Sequence, residues 1–238
     1  MALTNAALMD EIAGQHSVEA LLLPGGDGPR FAPIPVSHLD AAAADAKAFL
    51  TCAGVSAGDV VLLVADASRS ALLRPFTQAL TELSCPYVAA ENARFTRGNL
   101  LDFFSLFAFR AVLALHGAVA GMIAEQGKDP LALFGEAAVY ATDAATSYAA
   151  EPSSARGWWD LGAAIAVGCG DANRSRGHLI RGRLEIEQQA SGLLGLRAGW
   201  NGQLLAPAIP ARLLDGGCDC RLDLPLLEFH VEPNGASR

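Results

Sequence analysis

Two continuous apolar runs, residues 60–65 and 111–115, constrain the fold more than any other feature of this chain. Neither alternates between apolar and polar. A strand that sends apolar side chains to both of its faces must be covered on both, as strands are inside a parallel sheet with helices above and below. The intervening segments fit that layout. Residues 41–50 form an alanine-rich helix that stops at Gly54, and Ser37 followed by Asp40 reads as a capping-box start. A helix over 68–83 leads to a strand at 87–90, and a helix over 99–107 leads into the second apolar run. A helix over 118–126, a strand at 137–140 and a helix over 143–150 complete the series. Before it come an amphipathic helix at 3–13 and a strand at 18–23. The expected fold class is α/β, a doubly wound, mostly parallel sheet with flanking helices and right-handed crossovers, whose ligands sit beyond the carboxyl ends of the strands.

From Pro152 onward the texture changes. The pair Trp158-Trp159, the apolar run 163–167 and the segments 179–187, 193–197 and 203–205 read as short strands joined by glycine turns, more antiparallel in character. The tryptophans are expected in the core or at a partner contact. The expected domains are a layered α/β part over 1–151, a smaller strand-rich part over 152–231 and a polar tail, 232–238.

Composition narrows the function classes. A net charge of −8, with 17 Lys and Arg and no basic run, excludes a phosphate-tracking nucleic-acid surface. The most apolar stretch, 111–124, is interrupted by His116, Gly117 and Gly121, so no membrane span is expected. Five cysteines without a dense framework, and a start lacking the order of a secretory signal, point to a reducing compartment, and the expected location is cytoplasmic.

Three of those cysteines lie in the last third. Cys169, His178, Cys218 and Cys220 could close a tetrahedral Cys3His zinc site. The competing reading is a set of small buried thiols beside a solvent-facing histidine. A glycine-rich turn, with Gly25, Gly26, Asp27 and Gly28, follows the strand at 18–23 in the manner of a phosphate cradle. It has neither lysine nor hydroxyl, and Asp27 adds negative charge. Asp66, Glu91 and His116 each stand near the carboxyl end of an expected strand, where an acid-base pair could form.

The order of the segments resembles the phenylacetate-CoA ligase-like branch of the adenylate-forming (AMP-binding) enzymes. The resemblance rests on His38-Leu39-Asp40, on the phrase from Ala53 to Val61, on the phrase from Ala124 to Pro130, and on Cys169 followed by Gly177-His178-Leu179-Ile180. It continues through Leu184-Glu185-Ile186-Glu187 with Ser191-Gly192, and ends at Cys218-Asp219-Cys220-Arg221. It implies the layered core of that family's large domain. Some members of the branch carry a zinc-binding cysteine cluster, whose Cys-x-Cys would fall at Cys218 and Cys220.

The family's catalytic groups are largely missing from the matching positions. The phosphate loop lacks its hydroxyls and lysine. The adenine-side segment falls on Ala141-Thr142-Asp143-Ala144, the Tyr-Gly-x-Ser/Thr-Glu segment falls on residues 159–163 with Ala163 at the carboxylate position, and the ribose-binding phrase is lost at 205–210. Losing one group that stabilises a phosphoryl transition state typically costs about two orders of magnitude or more. The resemblance therefore implies a catalytically degenerate homologue, with ATP and AMP not expected to bind, working as a homo-oligomer or on a protein partner. The alternatives are a binder of an acyl or aryl acid or CoA thioester, and a ligase-related enzyme with repurposed chemistry.

Overall fold

The computed structural model describes residues 17–23, 30–65, 70–91, 100–168, 175–215, 218, 220 and 222–229. The expected helix at 3–13, the tail, the loop of Gly25, Gly26, Asp27 and Gly28, and both Asp66 and Cys169 lie outside them.

The described residues form three sheets. Strands β1 (Ser17–Leu23) and β2 (Arg30–Pro35) pair antiparallel in a ribbon of their own. The large sheet has nine strands. It takes β3 (Val60–Ala65), β4 (Tyr87–Glu91), β5 (Phe109–Leu115), β6 (Ala138–Ala141) and β7 (Arg156–Asp160) in parallel, then β8 (Ile165–Gly168), β9 (Arg176–Ile180), β14 (Leu226–Phe229) and β13 (Ala211–Leu214) antiparallel. Strands β10 (Leu184–Gln188), β11 (Leu194–Ala198) and β12 (Leu204–Ile209) make the third sheet. The fold is thus mixed α/β with a strand-rich C-terminal part, and β6 and β7, on either side of residue 151, are neighbours in one sheet.

Period-two alternation sorts the apolar strands between two cores. Val61, Leu63, Ala111 and Leu113 face helices α1 (Val36–Cys52) and α2 (Ser70–Glu82). Leu62, Val64, Val112 and Leu115 face α3 (Leu100–Ser105), α4 (Gly117–Ala124) and α5 (Asp143–Thr146). All eight of these side chains are buried, the burial that makes a non-alternating strand stable. Helix α1 covers its face with Leu39, Ala42, Ala46, Phe49 and Leu50, spaced three and four apart.

Its start corrects the expected capping box. The residue before the helix is Pro35, with no side-chain cap, and the Ser37 hydroxyl instead accepts from Arg183 Nη1 at 2.8 Å. The expected continuous strand at 179–187 is also divided, because Gly182 turns the chain at φ +55° with its Cα against the backbone of α1. A Cβ there would sit 2.8 Å from the His38 carbonyl oxygen. Among the described residues, no helix is long and apolar enough to cross a membrane.

Candidate ligand pocket and metal centre

The parallel part has the strand order β6-β5-β3-β4, so successive crossovers leave β3 in opposite directions. A crevice opens at such a switch point, beyond the carboxyl ends of the strands. Here it is a cavity of about 260 Å³ lined by Val64, Leu72, Leu73, Ala114, His116, Thr142, Trp158, Asp160 and Ile165.

Each element delivers its residue for a local reason. Strand β5 shifts register between Val112 and Leu115, and Ala114 takes φ +61°. That bulge breaks the alternation, so Leu113 and Ala114 both join the α1/α2 core and the strand end re-aims toward the cavity. His116 follows as the N-cap of α4. Thr142 caps α5, its hydroxyl accepting from the Ala145 N–H at 3.3 Å while its own N–H donates to the Leu115 carbonyl at 2.9 Å. Asp160 ends β7 and accepts from the Gly162 N–H at 2.8 Å, which turns the chain back into β8. Most of the wall is apolar, with three polar groups on one side, the usual make-up of a small-molecule site.

His116 is therefore at the expected edge, whereas Asp66 and the side chain of Glu91 lie outside the described residues. Thr142 and Asp160 belong to segments compared above with nucleotide motifs, and the structure brings them to one cavity. Ala163, at the matched carboxylate position, is buried at 2% exposure. Ala114, Leu72 and Leu73 carried no sequence signal, because a bulge and a helix face acquire a ligand only through their neighbours.

At the antiparallel end, His178, Cys218 and Cys220 converge. His178 sits on β9 opposite Leu226 of β14, at 1% exposure, which removes the solvent-facing reading of that histidine. Its Nδ1 lies 3.2 Å from the Leu224 carbonyl oxygen, and its Nε2 lies 2.9 Å from Cys218 Sγ and 3.0 Å from Cys220 Sγ. A carbonyl can only accept, so Nδ1 carries the proton. Burial holds the imidazole pKa below its ordinary value, and the neutral ring then turns the Nε2 lone pair toward both sulfurs. A ring oriented by a carbonyl on one nitrogen and facing cysteine sulfur with the other is the usual disposition of a histidine ligand. In this structure Cys218 and Cys220 are joined as a disulfide, so a metal would be taken up by the reduced chain, with both sulfurs as thiolates. This group could hold a metal ion, while Cys169 directly follows Gly168, the last residue of β8.

One contact was not legible in the sequence. Cys52, the last residue of α1, places its exposed thiol 3.2 Å from the Cys220 carbonyl oxygen, across 168 positions of chain.

No protein-family model matches this sequence, and no curated protein does. Solved structures do. An open conformation of 2-hydroxyisobutyryl-CoA ligase, in complex with 2-HIB-AMP and CoA, matches with a TM-score of 0.64 at 11% identity, over 95% of this chain and 57% of that one. The same ligase in its thioesterification state gives 0.62 at 11% identity, over 94% and 56%. A malonyl-CoA ligase complex with methylmalonyl-CoA and AMP gives 0.55 at 12% identity, over 78% and 44%. The chain spans little more than half the length of the first of these ligases. Its layered core and its strand-rich end have the fold of these CoA ligases.

Proposed function

We propose that the chain is a binding protein built on the CoA-ligase fold, related to the phenylacetate-CoA ligase-like branch, that holds a compact acyl or aryl acid or its CoA thioester without adenylating it. One observation carries the reading. A cavity of about 260 Å³ is kept at the switch point while Ala163, at the position matched to the family's magnesium carboxylate, offers only a buried methyl. Val64, Leu72, Leu73, Trp158 and Ile165 suit an apolar acyl or aryl body, and Thr142 and His116 suit its polar head. One matching ligase structure holds 2-HIB-AMP and CoA. On this reading His178, Cys218 and Cys220 hold zinc as a structural staple in a reducing, cytoplasmic setting, where both sulfurs remain thiolates.

The test is a thermal-shift panel of short-chain and aryl acids and their CoA thioesters, run beside an ATP-pyrophosphate exchange assay. A ligand at a hundredfold excess over its Kd stabilises by about 2.7 kcal/mol. The reading expects such a shift from at least one compound, its loss in Leu73→Trp, which fills the cavity, and no exchange. Robust exchange with any acid overturns it.

A second reading, association with another copy or a partner, is favoured by the exposed Leu106 and Phe107 after α3. Sedimentation of the wild type against Leu106→Glu separates it from the first.

A further inference from the structure

We propose that Leu72 and Ile165 set the length of acyl or aryl body that the chain admits, by standing as a partition between the switch-point cavity and a second, smaller chamber behind it. The proposal rests on the acyl-binding reading above and adds to it a size limit and the two side chains that impose it.

Three observations carry it. First, two cavities share these residues. Leu72 and Ile165 line the cavity of about 260 Å³, and both also line a chamber of about 20 Å³, which has room for one water. Second, the two spaces lie end to end across the sheet. In strand order the large cavity takes Ala114 from β5, Thr142 from just past β6, Trp158 from β7 and Ile165 from β8, and the chamber takes Ile165 and then Ile180 of β9. Strands β6 and β8 are two strand spacings apart, about 10 Å. A ligand with its head at Thr142 and His116 and its body along the apolar wall ends against Leu72 and Ile165.

Third, the partition is held in place and the space behind it is apolar. Ile165 is paired on both sides, with Asp160 of β7 and Ile180 of β9. Leu72 stands on α2 one turn before Phe76. Phe76 lines the chamber and Trp158 the cavity, and their ring centroids are 5.1 Å apart, so this contact continues the partition. Behind it Ala71, Ala163 and Ala164 bring no more than methyl groups, and His38 is the one polar side chain among the described residues of the chamber wall. Cutting Leu72 back to alanine frees the space of an isopropyl group at the junction and joins the two spaces into one.

The experiment uses the full chain and two series of free acids and their CoA thioesters, straight-chain from acetyl to decanoyl and aryl from benzoyl to phenylbutanoyl, with affinities read by isothermal titration calorimetry. Wild type, Leu72→Ala, Ile165→Val and the double variant Leu72→Ala with Ala163→Leu are compared. Wild-type affinity is expected to rise along a series and then to fall at least about tenfold at the first member too long for the cavity. In Leu72→Ala that member is expected to gain at least about tenfold, moving the cut-off to longer bodies, and Ala163→Leu in the same chain is expected to move it back. Ile165→Val, which deletes a single methyl, is expected to shift the cut-off the same way by a smaller step, and it decides the matter should Leu72→Ala not fold. A cut-off that stays at the same member in the opened variants, a uniform weakening of every member, or a wild type without a cut-off overturns the proposal. A wild type that binds no member of either series overturns the acyl-binding reading itself, an outcome distinct from the first.

Discussion

The two halves of the nine-stranded sheet are built on different physics. In the parallel half the central strands β3 and β5 are apolar on both faces, and stability comes from burial between two helical layers. Where β7 meets the antiparallel strands, an aromatic ring lies instead on bare backbone. Trp159 lies across Gly157 and Gly177 and stacks on Phe229, with ring centroids 4.4 Å apart. A Cβ at Gly157 would fall 2.0 Å from the Trp159 indole, and one at Gly177 would fall 2.5 Å from it. Beside this floor come the cross-strand Arg176–Glu228–Arg212 ion pairs and the His178 cluster. The first half tolerates any apolar residue of the right volume, whereas the second depends on atoms that are absent and on donors in set places. A fold can therefore keep its core while the chemistry at either end diverges.

The largest effect should come from the parallel half. Leu113→Ala removes a side chain at 0% exposure and should cost about 3 kcal/mol in urea unfolding, with both halves melting together if the sheet is one cooperative unit. A loss under 1 kcal/mol would break the contrast. Next, Gly177→Ala should cost about 2 kcal/mol by forcing Trp159 off its floor. Pairing it with Trp159→Ala should recover much of that loss, and simple additivity would show that the indole is not what the methyl meets.

A pH titration tests the junction of the halves, where His38 of α1 accepts from Arg183. Burial, aided by the nearby Arg183 charge, lowers its pKa from 6.5 to about 4. Over that window the unfolded chain binds a proton that the folded chain refuses, so stability rises with pH and is lost as pH falls from 6.5 toward 4. Between pH 7 and pH 5 the loss from this group should be about 2 kcal/mol. His178, lowered by burial as well, acts with the same sign, so the check is that His38→Asn flattens the wild-type slope by that amount. The smallest effect belongs to the surface. Lys47 and Glu82 pair at 3.1 Å with both side chains 43% exposed, and Lys47→Ala should cost no more than about 0.5 kcal/mol.

What the chain's sequence by itself determined is the layered core. The runs at 60–65 and 111–115 are β3 and β5, and the helices between strands stand close to where their apolar spacing put them, because these are local periodicities that each segment carries alone. The edge where the cavity opens follows from the alternation of helix and strand, since parallel strands joined by helices leave their crevice beyond their carboxyl ends. Pairing between distant segments was not. Strands β2, β13 and β14 went unseen, β1 turned to β2 rather than to the main sheet, and the Ser37 hydroxyl left its helix for Arg183. The bulge at Ala114, the indole resting on Gly157 and Gly177, and the approach of Cys52 to Cys220 across 168 positions were decided only by tertiary structure. Each is a meeting of segments whose individual sequences carry no record of the other, and it is at such meetings that the cavity and the His178 cluster take their shape.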